Sequence, residues 1–448
     1  MPDDAIHPVR TDIPQAALDD LRDRLARTRW VDELPGSGWE RGVPTSYLKD
    51  LAGYWADGFD WRKREATLNQ HAQFTTVIDG QNVHFVHVRS SRPDAIPLLL
   101  IHGWPGTPAD FLAMTDPLAS PPDAGTPAFH LVIPSLPGHG FSGPVTEPGW
   151  NDGRVAAALA ELMARLGYHR YGVHGGDHGA FLAPRIGRDH PEHVLGVHVN
   201  ALVTFPTGDP ADMAALTEAD KQRLAAMKQF QDDGSAYMQL AGTRPNTIAQ
   251  LLADSPAGQL AWITEKYKEW TDQAHQLPDQ AIGRDTILTT ASVYWLTSTA
   301  RSVANYYYER FHDPAMFAPA PKGTVPTGVA VFPTADFAIR SFAESAHNIT
   351  RWTEFSSGGH FPALEEPGLL TSDIRAFFST LPTDRQQPAP SPRRAERAEA
   401  PGPPSSRPAG GCRAVAAQVR RPSRRLRTRQ DRHWDPGPRP ARKARPAG

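Results

Sequence analysis

One aspartate sits in a setting that suits a nucleophile. Gly175-Gly176-Asp177-His178-Gly179 follows a short apolar segment and precedes a helical pattern from Ala180 to Arg188. Small residues two positions to either side of Asp177 let a strand-to-helix turn close tightly, with the central side chain exposed at its apex. A carboxylate presented in this way can attack an electrophilic carbon and form an ester. Far downstream, Gly358-Gly359-His360-Phe361 offers an imidazole, which can activate water to cleave such an ester. Upstream, His102-Gly103-Trp104-Pro105-Gly106 closes another apolar run. Taken singly, each segment has an ordinary reading: an Asp–Gly loop, a Gly/Pro turn, one of 18 histidines. Their order along the chain is far more specific than any one of them.

The elements that must position these residues alternate between two periods. Phe74 to Ile78, a turn at Asp79-Gly80, and Val83 to Val88 predict a hairpin. Ile96 to Ile101 is a continuous apolar run, as a parallel strand buried on both faces requires. Further strands are expected at His130–Pro134, Tyr171–His174, Val194–Val199, Val325–Phe332 and Thr350–Phe355. Helical patterns at Val155–Leu166 and Leu369–Phe378 fall between or after them. Strand–helix alternation predicts an α/β sheet. Before residue 70 the pattern is helical, with Leu18, Leu21 and Leu25 on one face and Trp30, Trp39, Trp55 and Trp61 along it. Glu218–Gln231 and Ile287–Arg310 read as helices with no strand between them, which suggests a lid inserted in the sheet. No internal repeat is seen.

Composition narrows the classes. The chain has 448 residues, 40% hydrophobic and 9% aromatic, enough to bury a sizeable core. Cys412 is the single cysteine, which excludes an intramolecular disulfide and multi-cysteine zinc sites. No 18-residue apolar run predicts a membrane span. The acidic Met1-Pro2-Asp3-Asp4 start does not resemble a secretory signal. A cytoplasmic setting is therefore expected. The net charge of −2 hides an uneven distribution. Residues 384–448 carry 17 Lys+Arg against 5 Asp+Glu, a net of +12, and the first 383 carry 30 against 44, a net of −14. With 12 of the 44 prolines and Leu426 as its sole leucine, the tail is expected to be disordered. It alone would support nucleic-acid binding, and a solvated extension is the simpler expectation.

Oxyanion loop, nucleophile turn, helical insert and C-terminal histidine, in this order, resemble an α/β-hydrolase with an aspartate nucleophile. More narrowly, residues 5 to 380 resemble the microsomal-type epoxide hydrolases, including the juvenile-hormone group. The resemblance is carried by Arg27-Thr28-Arg29-Trp30, Phe59-Asp60-Trp61, His102-Gly103-Trp104-Pro105-Gly106 and Gly358-Gly359-His360-Phe361 with Leu364-Glu365-Glu366-Pro367. It implies an N-terminal region over 1–73, a hydrolase core over 74–209 and 318–383, and a lid over 210–317. It implies Asp177 as nucleophile and His360 as base, with amides of Trp104 and His178 in the oxyanion hole. Two lid tyrosines, Tyr237 and Tyr307, would donate protons to the epoxide oxygen. The reactants would be a small-molecule epoxide and water, with no metal or organic cofactor; no membrane partner is expected, since no apolar run matches the anchor of the microsomal enzymes.

Two departures from the family stand out. The acid that should orient His360 falls, by ungapped comparison, at Ala335; Asp336 is the nearest carboxylate, and Glu344 is the next choice. His178 replaces the tryptophan usual after the nucleophile, which brings an imidazole beside the carboxylate where it could become protonated. Two other readings stay open: a haloalkane or haloacid dehalogenase of the same fold, and a non-catalytic ligand-binding relative. Substrate preference and oligomeric state are not encoded in any motif found.

Overall fold

A computed structural model describes residues 4–316, 318 and 320–382. The basic tail, and with it the expectation of disorder or nucleic-acid binding there, lies outside the described residues.

The strands form one nine-stranded sheet: β1 (His7–Val9), β2 (Gln73–Ile78), β3 (Gln81–Val88), β4 (Ile96–Ile101), β5 (Phe129–Pro134), β6 (Tyr171–Gly175), β7 (Val194–Asn200), β8 (Pro326–Val331) and β9 (Asn348–Glu354), in the order β1-β2-β3-β5-β4-β6-β7-β8-β9. The first three strands and β5 pair antiparallel, and β5-β4-β6-β7-β8-β9 pair parallel. The apolar runs behave as their composition demands: Leu98 to Ile101 and Leu131 to Ile133 are fully buried between layers of helices. The chain leaves β4 toward β5 on one side and continues at β6 on the other. That reversal opens a crevice at the carboxyl ends of β4 and β6, where ligands bind in open α/β sheets.

Between β7 and β8 the described residues form helices and connecting loops. They share one hydrophobic cluster with the N-terminal helices Gln15–Ala26, Thr45–Gly53 and Trp61–Leu68. Leu18, Leu21, Leu51 and Trp55 pack with Leu260, Tyr267, Ile287 and Tyr294. Trp55 Nε1 donates to Ser292 Oγ at 2.9 Å, and Arg64 pairs with Asp285. The N-terminal helices thus brace the lid.

Two elements differ from the sequence expectation. Ile287–Arg310 is not one helix but two, Arg284–Leu296 and Ala300–Phe311. The break falls at Thr297-Ser298-Thr299. Ser298 takes φ 55°, and the Thr297 hydroxyl donates to Val293 O at 2.7 Å. Three short hydroxylated side chains favour such local bonds over helix continuation. The strand His7–Val9 was not anticipated because Pro8 sits at its centre; a proline is tolerated there because β1 is an edge strand. Among the described residues no helix is long and apolar enough to cross a membrane.

Candidate active site

Asp177 occupies the apex between β6 and the helix His178–Asp189, with φ 54° and ψ −115°. A non-glycine residue held there costs about 1–3 kcal/mol and persists only where neighbours fix it. Here the neighbours are tight: a Cβ at Gly179 would lie 2.3 Å from Ile101 O, and one at Gly103 would lie 2.1 Å from Asp177 Oδ1. The glycines are therefore required by close approach of β4, its following loop and the turn.

The two carboxylate oxygens have different partners. Asp177 Oδ1 accepts from the Trp104 amide at 2.8 Å, and Oδ2 lies 3.3 Å from His360 Nε2. His178, as first residue of its helix, has a backbone N–H with no acceptor inside that helix. Asp177 and His360 line one small cavity together with Trp104, Gly176 and Asn200. Oδ1 thus rests on the Trp104 amide, and Oδ2 faces His360.

His360 is bracketed by acceptors. Its Nδ1 is 3.4 Å from Ala335 O, and its other ring nitrogen faces the Asp177 carboxylate. Burial lowers its pKa, but the hydrogen bond and charge of Asp177, helped by the Ala335 carbonyl and Asp336, outweigh burial, and the net shift is upward. Burial likewise would raise the Asp177 pKa; the adjoining imidazoles and the Trp104 amide reverse this and hold the carboxyl well below its usual range. The loop carrying His360 is pinned to the lid. His360 N donates to Trp270 O at 2.8 Å, and Glu365 accepts from the amides of Phe361 (3.0 Å) and Asp272 (2.7 Å). Glu365 and Asp272 had no assigned part in the sequence reading. The Leu364-Glu365-Glu366-Pro367 segment was the available signal for the first; nothing marked the second.

The tyrosines converge from two lid helices, Ala236–Thr243 and Ala300–Phe311. Tyr237 and Tyr307 meet edge to face, with ring centroids 5.8 Å apart, and each perturbs the other's hydroxyl. Burial raises both pKa values well above the usual one, so each is a neutral donor. Of the three consecutive tyrosines, Tyr306 gives its hydroxyl to Asp152 Oδ1 at 2.6 Å and Tyr308 stacks on His312. Tyr307 is the one that meets Tyr237. Both line an apolar cavity with Trp104, Leu252, Trp262 and Tyr294.

The departures resolve differently from expectation. Asp336 makes no hydrogen bond to His360; it accepts instead from the amides of Ala201, Phe332 and Ala338. Glu344 is exposed and pairs with Arg340 on the helix Arg340–Ala346, so it is not part of this site. His178 has Nδ1 3.3 Å from Asp177 Oδ1, but burial pushes its pKa down to about 3 against that pull. It stays neutral at pH 7, and its ring packs against Tyr306 and Tyr307 at 4.6 and 5.2 Å. At His178 desolvation thus outweighs the pull of Asp177, whereas at His360 the pull of Asp177 outweighs burial.

Comparison with known proteins fits this geometry. Residues 6–111 match the model of the epoxide hydrolase N terminus, and residues 96–249 match that of the alpha/beta hydrolase fold. A Stigmatella aurantiaca protein named "Putative epoxide hydrolase" is 41% identical over 381 residues, 84% of this chain and 85% of that one. The chain belongs to the epoxide hydrolase family. Epoxide hydrolase 1 of Sus scrofa is 33% identical, covering 85% of this chain and 90% of its own. The crystal structure of juvenile hormone epoxide hydrolase from Bombyx mori superposes with a TM-score of 0.78 at 27% identity, over 84% of this chain and 95% of that one.

Proposed function

We propose that this epoxide hydrolase family member converts epoxides with apolar substituents to vicinal diols through an ester on Asp177. The observation that carries this reading is the placing of Asp177 Oδ2 beside His360, with two hydroxyl donors in the adjoining apolar cavity. Ring strain makes the epoxide carbon electrophilic, but an alkoxide is a poor leaving group. Oδ2 forms the new C–O bond while the ring C–O bond breaks, and the departing oxygen takes a proton from the Tyr237–Tyr307 pair. The tyrosine recovers it, in net terms, from the His360 imidazolium. Neutral His360 then removes a proton from water, and the hydroxide adds to the ester carbonyl. Amides of Trp104 and His178 stabilise the tetrahedral oxyanion, each worth about 3 kcal/mol. Collapse releases the diol and restores carboxylate and imidazolium, so the protons balance. Strain in the ring and donors on the protein supply what is needed without metal or cofactor. The single cysteine supports a cytoplasmic setting.

A dehalogenase would share Asp177 and His360 but would need N–H donors rather than proton-donating hydroxyls for a halide; the two tyrosines in the cavity, and the lack of a tryptophan after the nucleophile, favour the epoxide. Styrene oxide and 1-bromobutane separate the two. Diol from the first with no bromide from the second is the expected result, and the reverse would remove the proposal. Replacing Tyr237 and Tyr307 together by Phe should slow ester formation by about 10³-fold or more and leave ester hydrolysis near its original rate. Single-turnover kinetics read the two steps separately, and equal slowing of both would deny the tyrosines their part.

A further inference from the structure

The loop after β8 is built around a carboxylate that faces inward on its own backbone. Asp336 Oδ2 accepts from Ala201 N at 3.1 Å and from Phe332 N at 3.3 Å, and Oδ1 accepts from Ala338 N at 3.2 Å. A carboxylate offers about four lone-pair positions, so three are committed to amides. The side chain is 6% exposed, and bonds from three amides are what keep a buried carboxylate tolerable. These bonds close a bend in which Ala335 takes φ 54°. A non-glycine residue enters that region only under constraint, and the constraint here is Asp336. The result is that the Ala335 carbonyl lies 3.4 Å from His360 Nδ1.

We infer that Asp336 is a positioning residue that acts through the backbone: it holds the Ala335 carbonyl against His360, and this carbonyl, rather than a carboxylate, selects the tautomer of the base. This rests on the ester mechanism proposed above. A carbonyl accepts the Nδ1 proton and so leaves the Nε2 lone pair facing Asp177, as general-base action requires. It supplies a dipole in place of a full charge. The charged groups that face His360 are Asp177 in front, Asp336 behind the bend and Glu365 from the helix Pro362–Glu365. Glu365 is committed to the Phe361 and Asp272 amides. Once Asp177 is esterified, its charge is gone, and no carboxylate is hydrogen-bonded to the imidazole. What Asp336 must contribute is therefore acceptor geometry more than charge.

Asparagine keeps one acceptor oxygen, enough for the Ala201 and Phe332 amides that share Oδ2, and gives up the bond from Ala338; alanine keeps none. With styrene oxide in single turnover, rapid quenching and mass spectrometry of the peptide containing Asp177 follow the adduct as it forms and decays. Asp336→Asn should keep adduct decay within about threefold of wild type. Its pH midpoint for decay should move by less than about half a unit. Asp336→Ala should slow decay about tenfold or more, with adduct formation near normal in both. Decay in the Asn variant as slow as in the Ala variant, or a midpoint lowered by about one unit or more, would mean that the charge itself orients the base, and the inference would fail. Should Asp336→Ala not fold, Asp336→Asn against wild type still decides through rate and midpoint. If wild type never forms the adduct, the ester mechanism falls and this inference with it. Normal adduct formation with equal damage in both variants removes this inference alone.

Discussion

Asp177→Ala is expected to lose epoxide turnover by about 10⁴-fold or more, with the fold retained. In the proposed mechanism this carboxylate supplies the oxygen that forms the first covalent bond, so its removal takes the nucleophile away. The Trp104 amide and His360 Nε2 both reach this carboxylate and would lose their partner. Stability should change little, for two reasons. The buried ion pair with His360 is weak evidence of stabilisation, because desolvating two charges offsets their attraction. Loss of Asp177 also removes what raises the His360 pKa, and burial then favours the neutral imidazole. Diol formation and the thermal midpoint, measured on the same preparation, check both halves. Activity within tenfold of wild type, in a protein free of contaminating hydrolase, would rule out Asp177 as the nucleophile.

The parts of the site that follow from short-range sterics were legible in the sequence. Gly175 and Gly179 flank Asp177 because the turn leaves no room for a Cβ, and that need is written in residue identity. Ile96 to Ile101 was legible as a buried strand because both its faces are covered. Parts that depend on where a backbone group ends up were not. Asp336 could be named as the carboxylate after β8, but its three amide partners come from residues 201, 332 and 338. Only the folded loop shows that they converge on it and turn it from His360. The state of His178 was left open for a related reason. Its nearness to Asp177 follows from sequence adjacency, whereas its desolvation depends on Tyr306 and Tyr307, from a helix more than 120 positions away. The break at Ser298 was missed because a run of hydroxylated residues interrupts a helix without glycine or proline to announce it.

His360→Gln is expected to stall the enzyme at the ester. Glutamine can still donate a hydrogen bond toward Asp177, so the elbow should keep its shape and the carboxylate its low pKa in part. The first step needs an ionised Asp177 and protonated tyrosines, and it should remain measurable. The second step loses its base, which contributes about 10²–10⁴-fold. Mass spectrometry after substrate addition should show the adduct on the peptide containing Asp177; an unmodified peptide, with wild type active, would count against the mechanism. The pH dependence of the wild type follows from the same groups. Asp177 lies below its usual range and the tyrosines far above theirs, so ester formation should be flat from mildly acidic to mildly alkaline pH. Ester hydrolysis requires neutral His360 and should fall as pH falls. In the free enzyme the Asp177 charge raises the His360 pKa. Esterification removes that charge, burial then dominates, and the imidazole gives up its proton more readily. The acid limb of hydrolysis should therefore lie at lower pH than the titration of His360 in the free enzyme, as a nuclear magnetic resonance titration set beside single-turnover decay would read it. In the proposed mechanism the carboxylate charge favours the protonated base before the ester forms, and loss of that charge on esterification favours the neutral one.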